Sequence, residues 1–556
     1  MIPNQVKLYI KNNDTYYNFP AGISLLNVYK QINLDLGWEL TCAKVNNKTK
    51  SLHYVCYNNK DIEFIGVNQP SGMRTYVRSL CFVLTRAVSD LYPGKGIQIE
   101  HPQSRGYYCV LDIGRETTEE DVQNLKKRMQ EIIDANIPLI PHQEQTSAVI
   151  DLFRKKGRND KVQLLETTGH IYNKYYTMGD YVDDFYGVLA PSTKSIYLFD
   201  LVKFHSGFLL RIPDKADPKK LPVFEKQEKM MDAFWEYLHF QKVMNMSDVG
   251  DLNRIILHGD ISTTVKVTEI LQEKKISRIA DDIYKHFDSG TRVVLIAGPS
   301  SSGKTSFCKR LQIQLLATTL HPISISLDDY YVNRVDTPLT EAGEYDYESL
   351  YAIDLPKFEE DLKKILAGEE VALPTYDFQK GERVYRGNTV QLKKNSVLVM
   401  EGIHAMNPEL LPTIPQKSMY KIYVSALTSL SLDHHNWIST TDNRLIRRIV
   451  RDHQFRGYSV NETIARWPLV REGEDKWIFP FQEDADATFN SAMLYELAAL
   501  RRIAEPILEK VLQTDDEFSE AHRLAKFLGY FNHIDIEELP NTSLLREFVG
   551  GSIFVY

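Results

Sequence analysis

Residues 293–306 read VVLIAGPSSSGKTS, an apolar run entering G-x-x-x-x-G-K-T. The pattern cradles phosphate. Gly298 and Gly303 let the backbone turn tightly enough to aim several N–H groups at one anion, and a helix predicted from about Ser306 to Leu316 adds its positive end. Gly298, Ser300, Ser301, Ser302, Gly303, Lys304, Thr305 and Ser306 are therefore the candidate ATP contacts. Lys304 supplies a point charge for the β- and γ-phosphates, and the Thr305 hydroxyl is placed to ligate Mg²⁺. A Gly/Ser-rich turn can fit such a pattern by chance. The strand before it and the helix after it favour nucleotide binding.

Two more apolar runs end in acids: Ile323–Leu327 in Asp328-Asp329-Tyr330-Tyr331, and Ser396–Met400 in Glu401-Gly402. One acid alone suits a polar strand cap as well as a metal shell or a general base. Phosphoryl transfer to a hydroxyl needs both of the latter, one carboxylate to accept the proton and one to help hold the metal. In NRLIRRIVRDHQFRG, the residues Arg444, Arg447/Arg448 and Arg451 recur at three- and four-residue steps and share one helical face, which Arg456-Gly457 then breaks. Arginine runs are commonly solvated faces. Beside a phosphate loop, a lid that neutralises the moving phosphoryl group is the better reading.

The elements that must position these groups alternate strand and helix from Arg292 onward, with strands predicted at Val293–Ala297, Ile323–Leu327, Ser396–Met400, Tyr420–Val424 and Ala485–Phe489. That alternation predicts an α/β fold: a parallel sheet with helices on both faces and ligands at the carboxyl ends of its strands. Before it, residues 1–67 suit a small β-grasp module and 68–213 an α+β domain, with helices over Thr75–Leu91 and Thr118–Ile133 and closing strands at Ser195–Leu201 and Gly207–Ile212. Residues 214–290 read as a helical connector that starts in the polar DKADPKK, and 291–556 as the phosphate-binding domain with a carboxy-terminal extension.

With 556 residues, 43% hydrophobic and 25% charged, the chain is expected to be a multidomain soluble protein. No apolar run reaches the ~18 residues of a membrane span, and MIPNQVKLYIKNND has no signal-peptide pattern. Five scattered cysteines, none in C-x-x-C, predict reduced thiols in the cytoplasm. A net charge of −8 argues against bulk coating of nucleic acid.

AGPSSSGKTS, SLDDYY, EYDYESLYAIDL, LPTYDFQKGER, VLVMEGIHAM and RRIVRDHQFRG, in this order, resemble the uridine kinase and phosphoribulokinase family of P-loop kinases over residues 292 to about 512. The resemblance implies ATP and Mg²⁺ as cofactors. It implies Asp328 as catalytic base, Asp346 as the acid that binds a ribose diol, and Tyr376 near base and sugar, with Arg383 and Arg451 also among the substrate-binding residues. Glu401 would lie near the metal with Thr305, Lys304 on the phosphates, and Arg448, Arg451 and Arg456 in the lid. The chain departs from the family at Gly381, where uridine kinases carry a base-reading histidine, at Tyr458, where a lid arginine falls, and at Arg466, in place of a base-side glutamine.

The first 213 residues resemble the amino-terminal part of threonyl-tRNA synthetase, its TGS module and second, editing-type domain, through RSLCFVLTRAVSDLYP and YTMGDYVDDFYGVLAPSTKSI. The family's four zinc ligands fall on Arg78, Phe82, Phe185 and Leu189, and a phenyl ring or a leucine cannot coordinate zinc. No zinc is expected. This half is left open as an oligomerising platform, a small-molecule sensor or a residual tRNA-binding surface. Together the readings predict an ATP-dependent nucleoside 5′-kinase. The alternatives are a kinase of a sugar phosphate or other small alcohol, or a nucleotide-gated RNA-binding regulator.

Overall fold

The computed structural model describes residues 4–555. The first module is a five-stranded sheet in the order Thr15–Pro20, Gln5–Ile10, Lys60–Gly66, Leu40–Val45, Lys48–Lys50, with helix Leu25–Ile32 against it. Gln5–Ile10 and Lys60–Gly66 run parallel and the remaining neighbours antiparallel, the β-grasp arrangement. Its alternating strand QVKLYI turns Val6, Leu8 and Ile10 onto the core with Val28 and Phe64.

The second unit sets helix Pro70–Leu91 against a four-stranded sheet ordered Asp200–Phe204, Gly207–Arg211, Gly106–Asp112, Gly96–Gln103. Helix Glu119–Asp134 begins in a capping box, Thr118 and Asp121 each satisfying the other's backbone N–H. The strand predicted at Ser195–Leu201 starts later, at Asp200, because residues 193–195 turn in a short 3₁₀ helix whose Thr193 hydroxyl donates to the Ile132 carbonyl.

The third unit is a five-stranded, wholly parallel sheet. Its elements in chain order are β1 (Val293–Ala297), α1 (Lys304–Ala317), β2 (His321–Ser326), β3 (Ser396–Glu401), β4 (Met419–Ser425), α2 (Thr440–Arg451), α3 (Val460–Trp477) and β5 (Ala487–Asn490). The strand order is β2-β3-β1-β4-β5. β1 is buried at every residue, as a central parallel strand covered on both faces must be. The chain leaves β1 toward β2 and leaves β3 toward β4, on opposite sides, so a crevice opens at the carboxyl ends of β1 and β3.

The segment predicted as a connector belongs to this unit's core. Helix Ile261–Asp288 buries Val265, Ile276, Ile279 and Ile283 in one apolar cluster with Val294, Ile296 and Leu311. The carboxy-terminal helix Phe518–Leu528 adds Leu524 and Phe527 to the same cluster.

A short hairpin, Ser431–Asp433 with Asn436–Trp437, reaches from this unit into the second one. There the buried Lys161 ammonium lies 3.2 Å from Asp183, 3.1 Å from Asp433 and 2.7 Å from the Asp184 carbonyl. Arg158 pairs with Asp160 at 2.7 Å, His435 Nδ1 with Asp183 at 2.5 Å, and the Trp437 ring lies 4.2 Å from that of Tyr107. Buried charges hold only when fully paired, so this cluster ties the two units in one register. Beside it, the four positions aligned with zinc ligands are filled by their own packing. Phe82 and Phe185 meet edge-to-face at 5.6 Å, Leu189 is fully buried, and the Arg78 guanidinium lies 5.1 Å from the Tyr186 ring centre.

Candidate active site

The loop between β1 and α1 takes the cradle shape. A side chain on Gly298 would lie 2.0 Å from the Val424 carbonyl, and Gly303 has φ +81°, so both positions require glycine. Ser301 also adopts positive φ, +58°. Buried side chains hold this shape from beneath. Arg444 donates to the Ser300 carbonyl at 3.0 Å and pairs with Glu474, which accepts the Ser300 N–H at 3.1 Å. Arg447 pairs with Glu496 and reaches the Ser301 carbonyl at 3.4 Å. The Ser491 hydroxyl donates to the Ser302 carbonyl.

Arg444 and Arg447 therefore do not share the lid role read from their spacing. They are 1% and 0% exposed and brace the loop. Helical period places residues on a face but does not say what that face meets. Arg448, Arg451 and Arg456 do gather, around the buried Asp452, at 3.3, 3.0 and 3.8 Å. Arg448 also donates to the Ser300 hydroxyl at 2.9 Å. A π-helical turn over Asp452–Arg456, ended by Gly457 at φ +71°, brings Arg456 back toward the same carboxylate.

The strand ends converge on the loop. Ile296 and Glu401 are register partners on β1 and β3, and the Thr305 hydroxyl donates to Glu401 Oε1 at 3.4 Å. Burial, with Asp328 and Glu547 nearby, pushes the Glu401 carboxyl up to about 7, against the opposing pull of Lys304 and the Thr305 hydroxyl. Asp328 opens into the crevice with a solvent-accessible side chain. The surrounding walls raise its pKa, while Lys304, Arg456, Arg451 and the Tyr331 hydroxyl pull it down. Burial lowers the Lys304 pKa, and Glu401, Asp328 and Glu547 oppose the shift. A cation, two hydroxyls, three carboxylates and two guanidinium groups thus act on one another across the crevice mouth.

Asp346 sits on the loop flanking the crevice, its Oδ1 accepting the Glu348 N–H at 3.1 Å. The Tyr376 ring lies 5.8 Å from that of Tyr331, and its N–H donates to Asp329 at 3.1 Å. Arg383 turns away, ion-paired with Asp354 at 2.8 Å. Gly381 has φ +73° in the turn of the hairpin Val371–Asp377/Glu382–Val390, and a side chain there would press on Arg334 at 2.7 Å. Arg466 stacks on the Tyr458 ring at 4.9 Å, so these two departures from the family pattern contact each other.

Glu348, two residues after Asp346, escaped the sequence reading. Its stem packs where Gly473 of α3 has no side chain, and burial raises its carboxyl to about 7, with Arg448 and Lys304 pulling it down. Glu474 and Glu547 also went unread. They lie about 170 and 240 residues beyond the loop they touch, and no local pattern announces them.

Residues 293–497 match the Phosphoribulokinase / Uridine kinase family. This part of the chain is a P-loop kinase. Among solved structures, the chain is similar to a putative fructose transport system kinase from Silicibacter sp. TM1040 at 16% identity, covering 38% of this chain and 98% of that one with TM-score 0.29. It is also similar to a possible uridine kinase from Bacillus stearothermophilus at 20% identity, covering 38% and 97% with TM-score 0.26. The amino-terminal region is similar to threonine–tRNA ligase of Francisella tularensis subsp. tularensis (strain FSC 198), 25% identical over 190 residues, 34% of this chain. The chain spans about 30% of the length of that relative.

Proposed function

We propose that the protein transfers the γ-phosphoryl group of ATP to the 5′-hydroxyl of a nucleoside, giving the nucleoside monophosphate and ADP. The observation that carries this reading is Asp328: a carboxylate open to the crevice, under the pull of Lys304, Arg451 and Arg456, at the end of the strand beside Glu401. A nucleotide-gated binding switch has no use for an alcohol-activating carboxylate in that place.

The residues present fit ATP and Mg²⁺. Gly298 lets the loop pack directly on the Val424 carbonyl, and the buried Ser301 and Ser302 hydroxyls have no hydrogen-bond partner among the described residues. The Thr305 hydroxyl and Glu401 carboxylate offer the hard oxygen donors Mg²⁺ takes. When bound, Mg²⁺ supplies charge neutralisation on the phosphates. Asp328 accepts the proton of the acceptor hydroxyl, Lys304 neutralises the phosphate tail, and Arg448, Arg451 and Arg456 meet the charge on the transferring group. Asp346 holds the ribose diol, and Tyr376 supplies an aromatic wall beside it.

The acceptor side favours a substrate without its own phosphate. Arg383 is engaged by Asp354, Arg334 donates to the Phe378 carbonyl at 2.7 Å, and Arg386 lies 3.8 Å from Asp377. A second acceptor class has one observation in its favour. The Glu348 carboxyl, close enough to Asp328 and Lys304 to sense both, suits another small non-phosphorylated alcohol that carries a hydrogen-bond donor. ATP consumption measured across nucleosides, sugars and sugar phosphates tests the reading. Turnover confined to sugar phosphates, or dependent on added tRNA alone, would overturn it.

A further inference from the structure

The carboxy-terminal segment crosses the nucleotide site. Glu547, in the short helix Arg546–Val549, accepts the Ser306 N–H at 3.1 Å and the Ser306 hydroxyl at 2.7 Å. Ser306 lies in the first turn of α1, where N–H groups without helical partners point at a bound anion. The carboxylate is close enough to Lys304 and Glu401 to act on both.

Four further contacts fix the segment in place. Leu544 covers the loop so closely that a side chain on Gly303 would lie 2.5 Å from its Cδ2. The Phe548 ring lies 5.0 Å from the Arg447 guanidinium. Beyond the helix, Gly550 abuts Phe455 of the arginine-bearing turn, so the segment touches phosphate loop and lid together. Arg546 pins it by donating to the Ile536 carbonyl at 2.9 Å.

We infer that residues 543–549 form an autoinhibitory strap, in which the Glu547 carboxylate occupies the anion position of the phosphate loop and must leave before the phosphates of a nucleotide seat fully. The inference rests on the kinase reading above, since it needs a nucleotide for the loop to receive. The competition is electrostatic and local. A helix N-terminus and its lysine attract one anion strongly, and a resident carboxylate removes part of that attraction while adding repulsion. Contact with Phe455 gives displacement of the strap a direct mechanical route to the lid.

The test is nucleotide affinity, read by calorimetry on the full chain with ATP and with ADP. Glu547→Gln keeps the shape and removes the charge, and is expected to tighten both dissociation constants by roughly five- to thirtyfold. Affinities within twofold of the parent, or weaker, would overturn the strap while leaving the kinase reading standing. Absence of nucleotide binding in both proteins would overturn the kinase reading and the strap with it. Amide hydrogen exchange gives a second reading that needs no variant. Nucleotide should accelerate exchange over residues 543–549 while slowing it over the phosphate loop. Protection of both segments together would mean that the strap closes over the nucleotide instead of yielding to it.

Discussion

The guanidinium of Arg444 and the carboxylate of Glu474, on α2 and α3, form an ion pair with both side chains at most 2% exposed, and each also bonds the backbone of Ser300. The phosphate loop is thus held by side chains from more than 140 residues away, and its shape depends on them. Removing Glu474 leaves the buried Arg444 guanidinium without its carboxylate, whereas Glu474 would still pair with Arg471 if Arg444 were removed. Glu474→Ala should cost about 3–5 kcal/mol. Chemical denaturation measures it, and a loss under about 1 kcal/mol would mean the pair does not brace the loop.

Asp328→Asn should leave ATP binding intact and lower kcat by roughly 10²–10⁴, the usual contribution of a positioned base. Steady-state kinetics alongside calorimetry separates the two effects. Turnover near the parent rate would remove Asp328 from the proton-accepting role. Lys304→Ala should depress turnover with every acceptor alike, because it acts on the phosphates. An acceptor-dependent loss would contradict that.

Glu401 holds its proton up to about 7 in the folded chain, against an ordinary 4.5. The folded state therefore binds more protons than the unfolded one between these values. Its contribution to stability is present below 4.5 and is lost as pH rises through about 7. Glu348, also raised to about 7, acts in the same direction. Without nucleotide or Mg²⁺, Glu401→Gln should raise Tm more at pH 8 than at pH 5. An equal shift at the two pH values would show that Glu401 does not titrate in this range.

Ribonucleosides should exceed their 2′-deoxy forms in kcat/KM, since Asp346 would lose one hydroxyl partner. Competition assays with matched pairs read the ratio directly, and equal values would take Asp346 out of diol binding. With Gly381 at the base-reading position, purine nucleosides belong in the same panel.

Purified protein should carry no stoichiometric zinc and should not deacylate mischarged tRNA, because Arg78, Phe82, Phe185 and Leu189 offer no imidazole or thiolate donor. Elemental analysis decides it. One zinc per chain surviving chelator dialysis would reopen a hydrolytic role for the amino-terminal half.

The phosphate loop, the strand-end acids and the alternation of strands with helices were legible in the sequence because each depends on local rules. Glycine spacing sets a turn, apolar runs become buried strands, and the parallel topology brings strand ends to one crevice. Asp328, Lys304, Thr305 and Glu401 sit together for that reason.

Tertiary structure alone decided which charges face the crevice and which lie beneath it. Arg444, Arg447, Arg448 and Arg451 are alike in type and helical spacing. Two meet buried glutamates and two meet Asp452 at the crevice, according to what α3 and the segment after β5 set against each face. The same holds for Arg383, which Asp354 captures, and for Glu547, which folding carries to Ser306. Pairing between distant charges depends on which surfaces the core brings together, and local periodicity holds no record of that.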